Sequence, residues 1–196
     1  MPDKSAVREV LKACLRAMDP QDRSTASAAI TRHVLGLPEY KQARTVMLFV
    51  SMTSEADTSA IAADAWQNGK RVLVPVAKMQ DHSMQAVEIR SLAEAKRRTS
   101  VGVMEPEPGT PVDPGEINLV LVPGLGFGPA GERIGRGAGF YDRFLADPRV
   151  KAITCGLGFE LQVIEGIPMS PRDMAVDMLV TEAQVRRFRP RNPEAA

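Results

Sequence analysis

The chain has 196 residues, 44% of them hydrophobic and 25% charged, with 25 Lys and Arg against 24 Asp and Glu. That length suits one sizeable core and is cramped for two, so a single domain over residues 1–196 is expected. A net charge of +1 gives no reason to expect a nucleic-acid or anionic-membrane partner, so any anion must be held by local arrangement.

Residues 4–18 place Val7, Val10, Leu11, Cys14, Leu15 and Met18 three or four apart, which predicts a helix with one apolar face. Lys4, Arg8, Lys12 and Arg16 recur every four residues as a basic stripe on another face. A second helix is predicted over 21–35 after the start signal Asp19-Pro20. The apolar run 46–50 then reads as a buried strand followed by a polar loop, 51–57. A helix over 59–67, capped by Asp57 or Thr58 and stopped by Asn68-Gly69, leads to a strand at 72–74. Strand, helix and strand in that order predict a parallel pair. Further strands are expected at 85–89, 118–122, 152–156 and 175–180, with helices at 91–96 and 140–146. Four prolines make 105–115 an extended surface loop, and 186–196 reads as a frayed tail. The sum is an α/β protein, a three-layer αβα sandwich with a mostly parallel central sheet.

The start, Met1-Pro2-Asp3-Lys4, has no apolar signal region, and no run is long enough to span a bilayer, so a cytoplasmic protein is expected. Cys14 and Cys155 lie in apolar stretches and in no C-x-x-C pattern, which predicts buried, reduced thiols. His33 reads as a core-edge residue, His82 as a loop residue and Trp66 as core; two isolated histidines make no metal site.

A Walker A loop is absent. A literal G-x-G-x-x-G occurs at Gly126, Gly128 and Gly131, but no convincing helix opens there and no suitably spaced acidic strand end follows. The segment 121–145 is more informative. Gly124, Gly126, Gly128, Gly131, Gly135, Gly137 and Gly139 would let backbone N–H groups converge on one anion, with a helix start just beyond. Arg133 and Arg136 can add charge-assisted hydrogen bonds, and Asp142 is placed to hold a metal ion that bridges phosphates.

The runs Pro123-Gly124-Leu125-Gly126-Phe127 and Arg133-Ile134-Gly135-Arg136-Gly137-x-Gly139-Phe140-Tyr141-Asp142 resemble the signature of the 5-formyltetrahydrofolate cyclo-ligase family. Other similar segments follow in the same order. They are Lys4 and Arg8; Phe49-Val50-Ser51-Met52 with Glu55, Asp57 and Thr58; Gly69-Lys70 before Pro75; and Gly158-Phe159-x-x-Gln162 with Pro168, Asp173, Val176-Asp177 and Thr181-Glu182. The resemblance covers almost the whole chain.

It implies ATP-dependent cyclisation of 5-formyltetrahydrofolate to 5,10-methenyltetrahydrofolate, with Mg2+, by a protein expected to act as a monomer on small molecules. It further implies ATP contacts at Lys4, Arg8, Arg133, Ile134, Gly135, Arg136, Gly137, Ala138, Gly139, Phe140 and Tyr141. Folate would meet Val50, Met52, Glu55 and the stretch Arg136, Gly137, Ala138, Gly139 and Phe140. Arg136 would be the catalytic residue, and Asp142 and Asp173 the metal-linked acids. Phe140 stands where the family more usually has Tyr, Ala138 where some members carry Lys, Gly128 where Asp is common and Arg172 where His is common. Val101 lies near an often aromatic position. Two alternatives stay open here: a paralogue acting on another formyl or acyl substrate, and a silent folate- or nucleotide-binding protein.

Overall fold

Short apolar runs bury both faces only if chain covers the sheet on each side. In the computed structural model, which describes residues 3–95, 97–98, 104–105 and 109–188, they do so. Val46, Val72, Val74, Leu119 and Leu121 lie in one buried cluster, and Met47, Leu73, Val120 and Val122 in another. Successive strand residues point to opposite sides, so the two clusters are the two faces of one sheet.

The helices are α1 (Lys4–Ala17), α2 (Pro20–Gly36), α3 (Pro38–Gln42), α4 (Ser59–Gln67) and α5 (Phe140–Leu145). The strands are β1 (Thr45–Met47), β2 (Arg71–Lys78), β3 (Ser83–Ile89), β4 (Arg97–Arg98), β5 (Met104–Glu105), β6 (Pro111–Val112), β7 (Leu119–Pro123), β8 (Gly126–Phe127), β9 (Arg133–Ile134), β10 (Ile153–Leu157), β11 (Met178–Val180) and β12 (Val185–Arg187). Eight of them form the main sheet in the order β12-β11-β10-β7-β1-β2-β3-β6. Neighbours from β11 through β2 pair parallel, while β12, β3 and β6 add antiparallel edges. The predicted β1-α4-β2 parallel unit is present.

Leu11 and Leu15 of α1, Ile30 and Val34 of α2, and Ile61 and Ala65 of α4 cover one face. The other face is covered by Phe144 and Leu145 of α5 together with Phe127 and Ile117. The third layer is therefore thin, one short helix plus irregular chain. At the start of α4 the two candidate caps divide the work: Asp57 Oδ1 accepts from Ser59 N at 2.9 Å, while the Thr58 hydroxyl donates to Phe49 O at 2.6 Å.

Several expectations change. Residues 185–187 are a paired strand rather than the start of a frayed tail, and Arg186 and Arg187 anchor it on Glu160 and Glu39. Cys14 is exposed, because it falls beside rather than on the face carrying Leu11 and Leu15; Cys155 is buried, and burial pushes its thiol up. The helix expected at 91–96 is a single 3-10 turn at Leu92–Glu94. Lys96, Val101 and residues 189–196 lie outside the described residues, as does part of the proline loop.

The glycine-rich segment splits into two parts with different physics. Its first part forms the β8–β9 ribbon, so the literal G-x-G-x-x-G opens no helix. A Cβ at Gly124, Gly156 or Gly158 would stand 2.7, 2.6 or 2.8 Å from the buried Phe127 ring. Packing against Phe127 is thus enough to require glycine at 124, whatever the chain does on its cavity side. Only the stretch from Gly135 to Gly139 remains as an open loop.

Candidate active site

Chain leaving the carboxyl ends of β1 and β7 meets the first turns of α1 and the loop before β11 around one cavity of about 940 Å³. Crevices at the carboxyl ends of parallel strands are the usual ligand sites of open α/β sheets. The volume is near the top of the roughly 300–1,000 Å³ range of such sites, which leaves room for more than one ligand group. Every residue to which the resemblance gave an ATP, folate, catalytic or metal role lines this cavity, whereas Gly126, Gly128 and Gly131 of the expected anion nest do not.

The helical spacing of α1 explains its contribution. Leu11 and Leu15 are buried, so Lys4, Arg8 and Lys12 are carried on a different face, along the cavity wall. The Lys4 ammonium contacts Asp173, and Arg8 Nε donates to Gly135 O at 2.9 Å. Lys12 is paired with Glu9 at 2.8 Å.

The loop after β1 is held by its own short polar side chains. Ser51 Oγ donates to Ala56 O at 2.8 Å and accepts from Thr58 N at 3.0 Å. Glu55 Oε2 accepts from Met52 N at 3.0 Å, which turns the carboxylate back over the loop. Its other oxygen accepts from Arg136 Nη2 and Nε at 3.1 and 3.3 Å, and Arg136 Nη2 also donates to Ser54 Oγ at 3.3 Å. The candidate folate loop and the candidate ATP loop are joined by this one ion pair.

Arg133 occupies a different place from the one its sequence position suggests. Its side chain is only 3% exposed, and Nη2 donates to Asp142 Oδ1 at 2.7 Å. The guanidinium also lies over the Tyr141 ring, 5.8 Å from its centroid. Arg133 thus commits Nη2 to Asp142 and places a fixed charge that orients that acid at the cavity wall. Arg133 Nε and the Tyr141 hydroxyl are buried and meet no partner among the described residues. Burial pushes the Tyr141 phenol up, the Glu55 charge adds to this and the Arg133 charge opposes it, so the phenol stays protonated.

Asp142 and Asp173 come together through the backbone, since Met174 N donates to Asp142 Oδ1 at 3.1 Å. Burial alone would raise the Asp173 carboxyl, but hydrogen bonds from Lys4 and Ser170 outweigh it and hold the carboxyl below its usual range. Asp142 keeps one oxygen that accepts no hydrogen bond among the described residues, and the contacts of Lys4 Nζ and Ser170 N both fall on Oδ2 of Asp173. Two such carboxylates, with substrate phosphates completing the shell, fit a hard cation such as Mg2+. Among the described residues no group of three or more His, Cys, Asp or Glu side chains is placed to hold a metal.

The cavity lining carries seven Lys or Arg side chains against three carboxylates, in a chain of net charge +1. Anion attraction is thus concentrated at one place, as expected. Arg143, Ala77, Met84 and Met174 also line it and were not singled out by sequence. Arg143 directly follows the signature run, whereas Ala77 and Met84 belong to a hairpin that no motif marks.

A parallel α/β sheet with a glycine loop, fixed cations and two carboxylates around one deep cavity defines a phosphate-handling α/β enzyme. The family model described as the 5-formyltetrahydrofolate cyclo-ligase family matches residues 1–182, so this chain belongs to that family. It is 32% identical to the 5-formyltetrahydrofolate cyclo-ligase of Mus musculus over 189 residues, covering 91% of this chain and 93% of the mouse protein. It is 30% identical to the mitochondrial 5-formyltetrahydrofolate cyclo-ligase of Arabidopsis thaliana, covering 98% and 78%. The solution structure of Aquifex aeolicus 5,10-methenyltetrahydrofolate synthetase superposes with a TM-score of 0.81 at 29% identity, covering 98% of this chain and 99% of that one. Among the described residues no helix is long and apolar enough to cross a membrane.

Proposed function

We propose that this protein cyclises 5-formyltetrahydrofolate to 5,10-methenyltetrahydrofolate at the expense of ATP, releasing ADP and phosphate. The observation that carries the reading is the Arg136–Glu55 pair, which joins a cation-bearing glycine loop to the loop after β1, with Val50 and Met52, inside one cavity. Two substrates must meet there, and the cavity has one wall for each.

The formyl oxygen of the folate attacks the γ-phosphorus of ATP, and ADP leaves. The folate's 10-nitrogen then attacks the formyl carbon, its C–O bond to phosphate breaks, and phosphate departs as the N10 proton is lost. Little covalent chemistry falls to the protein, so positioning and charge neutralisation do most of the catalysis. Val50, Met52 and Phe140 offer apolar surface to the pterin, and Glu55 accepts from its N–H groups. Lys4, Arg8 and the backbone of Gly135 to Tyr141 hold the polyphosphate. Arg136 rests on Glu55 before the substrates bind and turns to the transferring phosphoryl group when they do, which frees Glu55 for the folate. Asp142 and Asp173 would hold Mg2+, whose charge would offset that of the phosphates; Arg133 fixes Asp142 for this task. Two free cysteines, one of them exposed, support a cytoplasmic setting.

An omission experiment tests this. Purified protein should release ADP only when ATP, 5-formyltetrahydrofolate and Mg2+ are all present. Release that ignores the folate, or that proceeds with the folate replaced by another formyl compound, would overturn the assignment.

A further inference from the structure

The glycine loop is fastened from outside at two carbonyls. Arg8 holds Gly135 O at its start, and Arg143 Nη1 donates to Ala138 O at 2.9 Å near its end. The second contact matters because of the peptide it fixes. Ala138 lies between Gly137 and Gly139, whose φ angles are +111° and +72°. Glycine takes either sign of φ at little steric cost, so its neighbours offer slight resistance to turning over the peptide between 138 and 139. In a trans peptide the C=O and N–H point in opposite directions. Committing Ala138 O to Arg143 therefore sends the Gly139 N–H to the other side of the loop, where it meets no acceptor among the described residues.

Arg143 is itself braced on another wall of the cavity. The same Nη1 donates to His82 O at 3.1 Å, in the turn between β2 and β3. His82 has a φ of +54°, and its ring lies 6.1 Å from the Phe140 ring at a tilt of 47°. The hairpin supplies Ala77 and Met84 to the cavity, so one guanidinium sets the spacing between the hairpin wall and the glycine loop. It also lies close against the loop: a Cβ at Gly139 would stand 3.2 Å from Arg143 Nη1.

We propose that Arg143 is a positioning residue for the nucleotide, which holds Ala138 O against the hairpin turn and thereby presents the Gly139 N–H to the ATP polyphosphate. In this role Arg143 acts through the Ala138 peptide and needs no contact with a reacting atom. The proposal rests on the reading of this loop as the ATP site, and the test separates the two.

Wild-type protein is titrated with a nonhydrolysable ATP analogue while the Gly139 amide is followed by nitrogen-15 NMR. A wild type that binds no nucleotide sinks the ATP-site reading. One that binds nucleotide without moving the Gly139 amide overturns only the role of Arg143. Arg143→Met should raise KM for ATP about tenfold, the worth of about one hydrogen bond to a charged group. Its kcat should stay within threefold, because a contact made equally before and during transfer affects KM alone. Folate affinity without nucleotide should stay within twofold. Arg143→Lys, which keeps a donor, should recover part of the loss. An unchanged KM for ATP in Arg143→Met contradicts the proposal, as does equal weakening of both substrates, the mark of a merely structural role. If Arg143→Met does not fold, Arg143→Lys and the Gly139 amide shift decide.

Discussion

Replacing Arg136 by Met removes the guanidinium and keeps much of the side chain's length. The residue is exposed, its side chain 37% accessible, and it is flanked by Gly135 and Gly137 rather than by core. Its contacts are one shared oxygen of Glu55 at 3.1 and 3.3 Å and Ser54 Oγ at 3.3 Å. With its guanidinium this open to water, the pair contributes about 1 kcal/mol at most to the fold, or roughly 2–4 °C in the thermal midpoint of a chain this size. Removing a donor aimed at charge developing during transfer costs about 2.7–4 kcal/mol, or roughly 10²–10³ in kcat. The chemical loss should therefore far exceed the structural one. Freeing Glu55 from its guanidinium should also leave 5-formyltetrahydrofolate binding without ATP unchanged, or tighter by up to about fivefold, the equivalent of that same 1 kcal/mol. Calorimetric titration of the folate and a turnover assay on one preparation measure both. A kcat within threefold of wild type, or folate affinity that falls in step with kcat, would refute the reasoning.

Other consequences follow from buried charge and close packing. Arg133→Met leaves Asp142 without the guanidinium that orients it, in a site where Arg133 is 3% and Asp142 20% exposed. It should cost about 2–3 kcal/mol, below the full penalty for an orphaned buried charge, and calorimetry should show a midpoint lower by about 5–10 °C. Glu160 is held below its usual range chiefly by Arg186, against the opposing effect of burial, and the pair ties β12 to the sheet. A depressed folded value means that this contribution is complete well above the ordinary Glu value of about 4.3 and is lost as pH falls through the folded value. Since Glu160 is 37% exposed, Glu160→Gln should lower the midpoint by only about 2 °C at pH 7. That gap should narrow as pH falls below the ordinary Glu value and close once Glu160 is protonated in the folded protein, and one that persisted at still lower pH would point to packing instead. Gly156→Ala sets a methyl 2.6 Å from the Phe127 ring. A loss of about 1–3 kcal/mol is expected, and denaturant melts should show much of it recovered when Phe127→Leu makes room.

The parallel core was legible because its strands are short apolar runs set between a helix with caps and recognisable stops. β12 was not, since two of its three residues are arginines whose partners, Glu160 and Glu39, lie far away in sequence. The candidate site was legible where chemistry follows the chain, from Arg136 to Asp142 and at the helical spacing of Lys4 and Arg8. It failed where a residue's environment decides its use. Arg133 and Arg136 look alike in sequence, yet one is buried beside Asp142 and the other lies open at the mouth of the Glu55 loop. Glycines misled for a related reason. A glycine that admits Phe127 and one that shapes a phosphate loop are the same letter, and only the neighbouring ring tells them apart. The hairpin carrying Ala77, His82 and Met84 gave no signal because its contribution to the cavity comes from tertiary packing against α5.

The central claim is tested most directly by the product itself. Purified protein with 5-formyltetrahydrofolate, ATP and Mg2+ should develop the near-ultraviolet absorbance of 5,10-methenyltetrahydrofolate, with one ADP formed for each methenyl product and neither formed after chelation of the metal. Folate binding with no absorbance change and no ADP, or ADP formed without the methenyl product, would contradict the account.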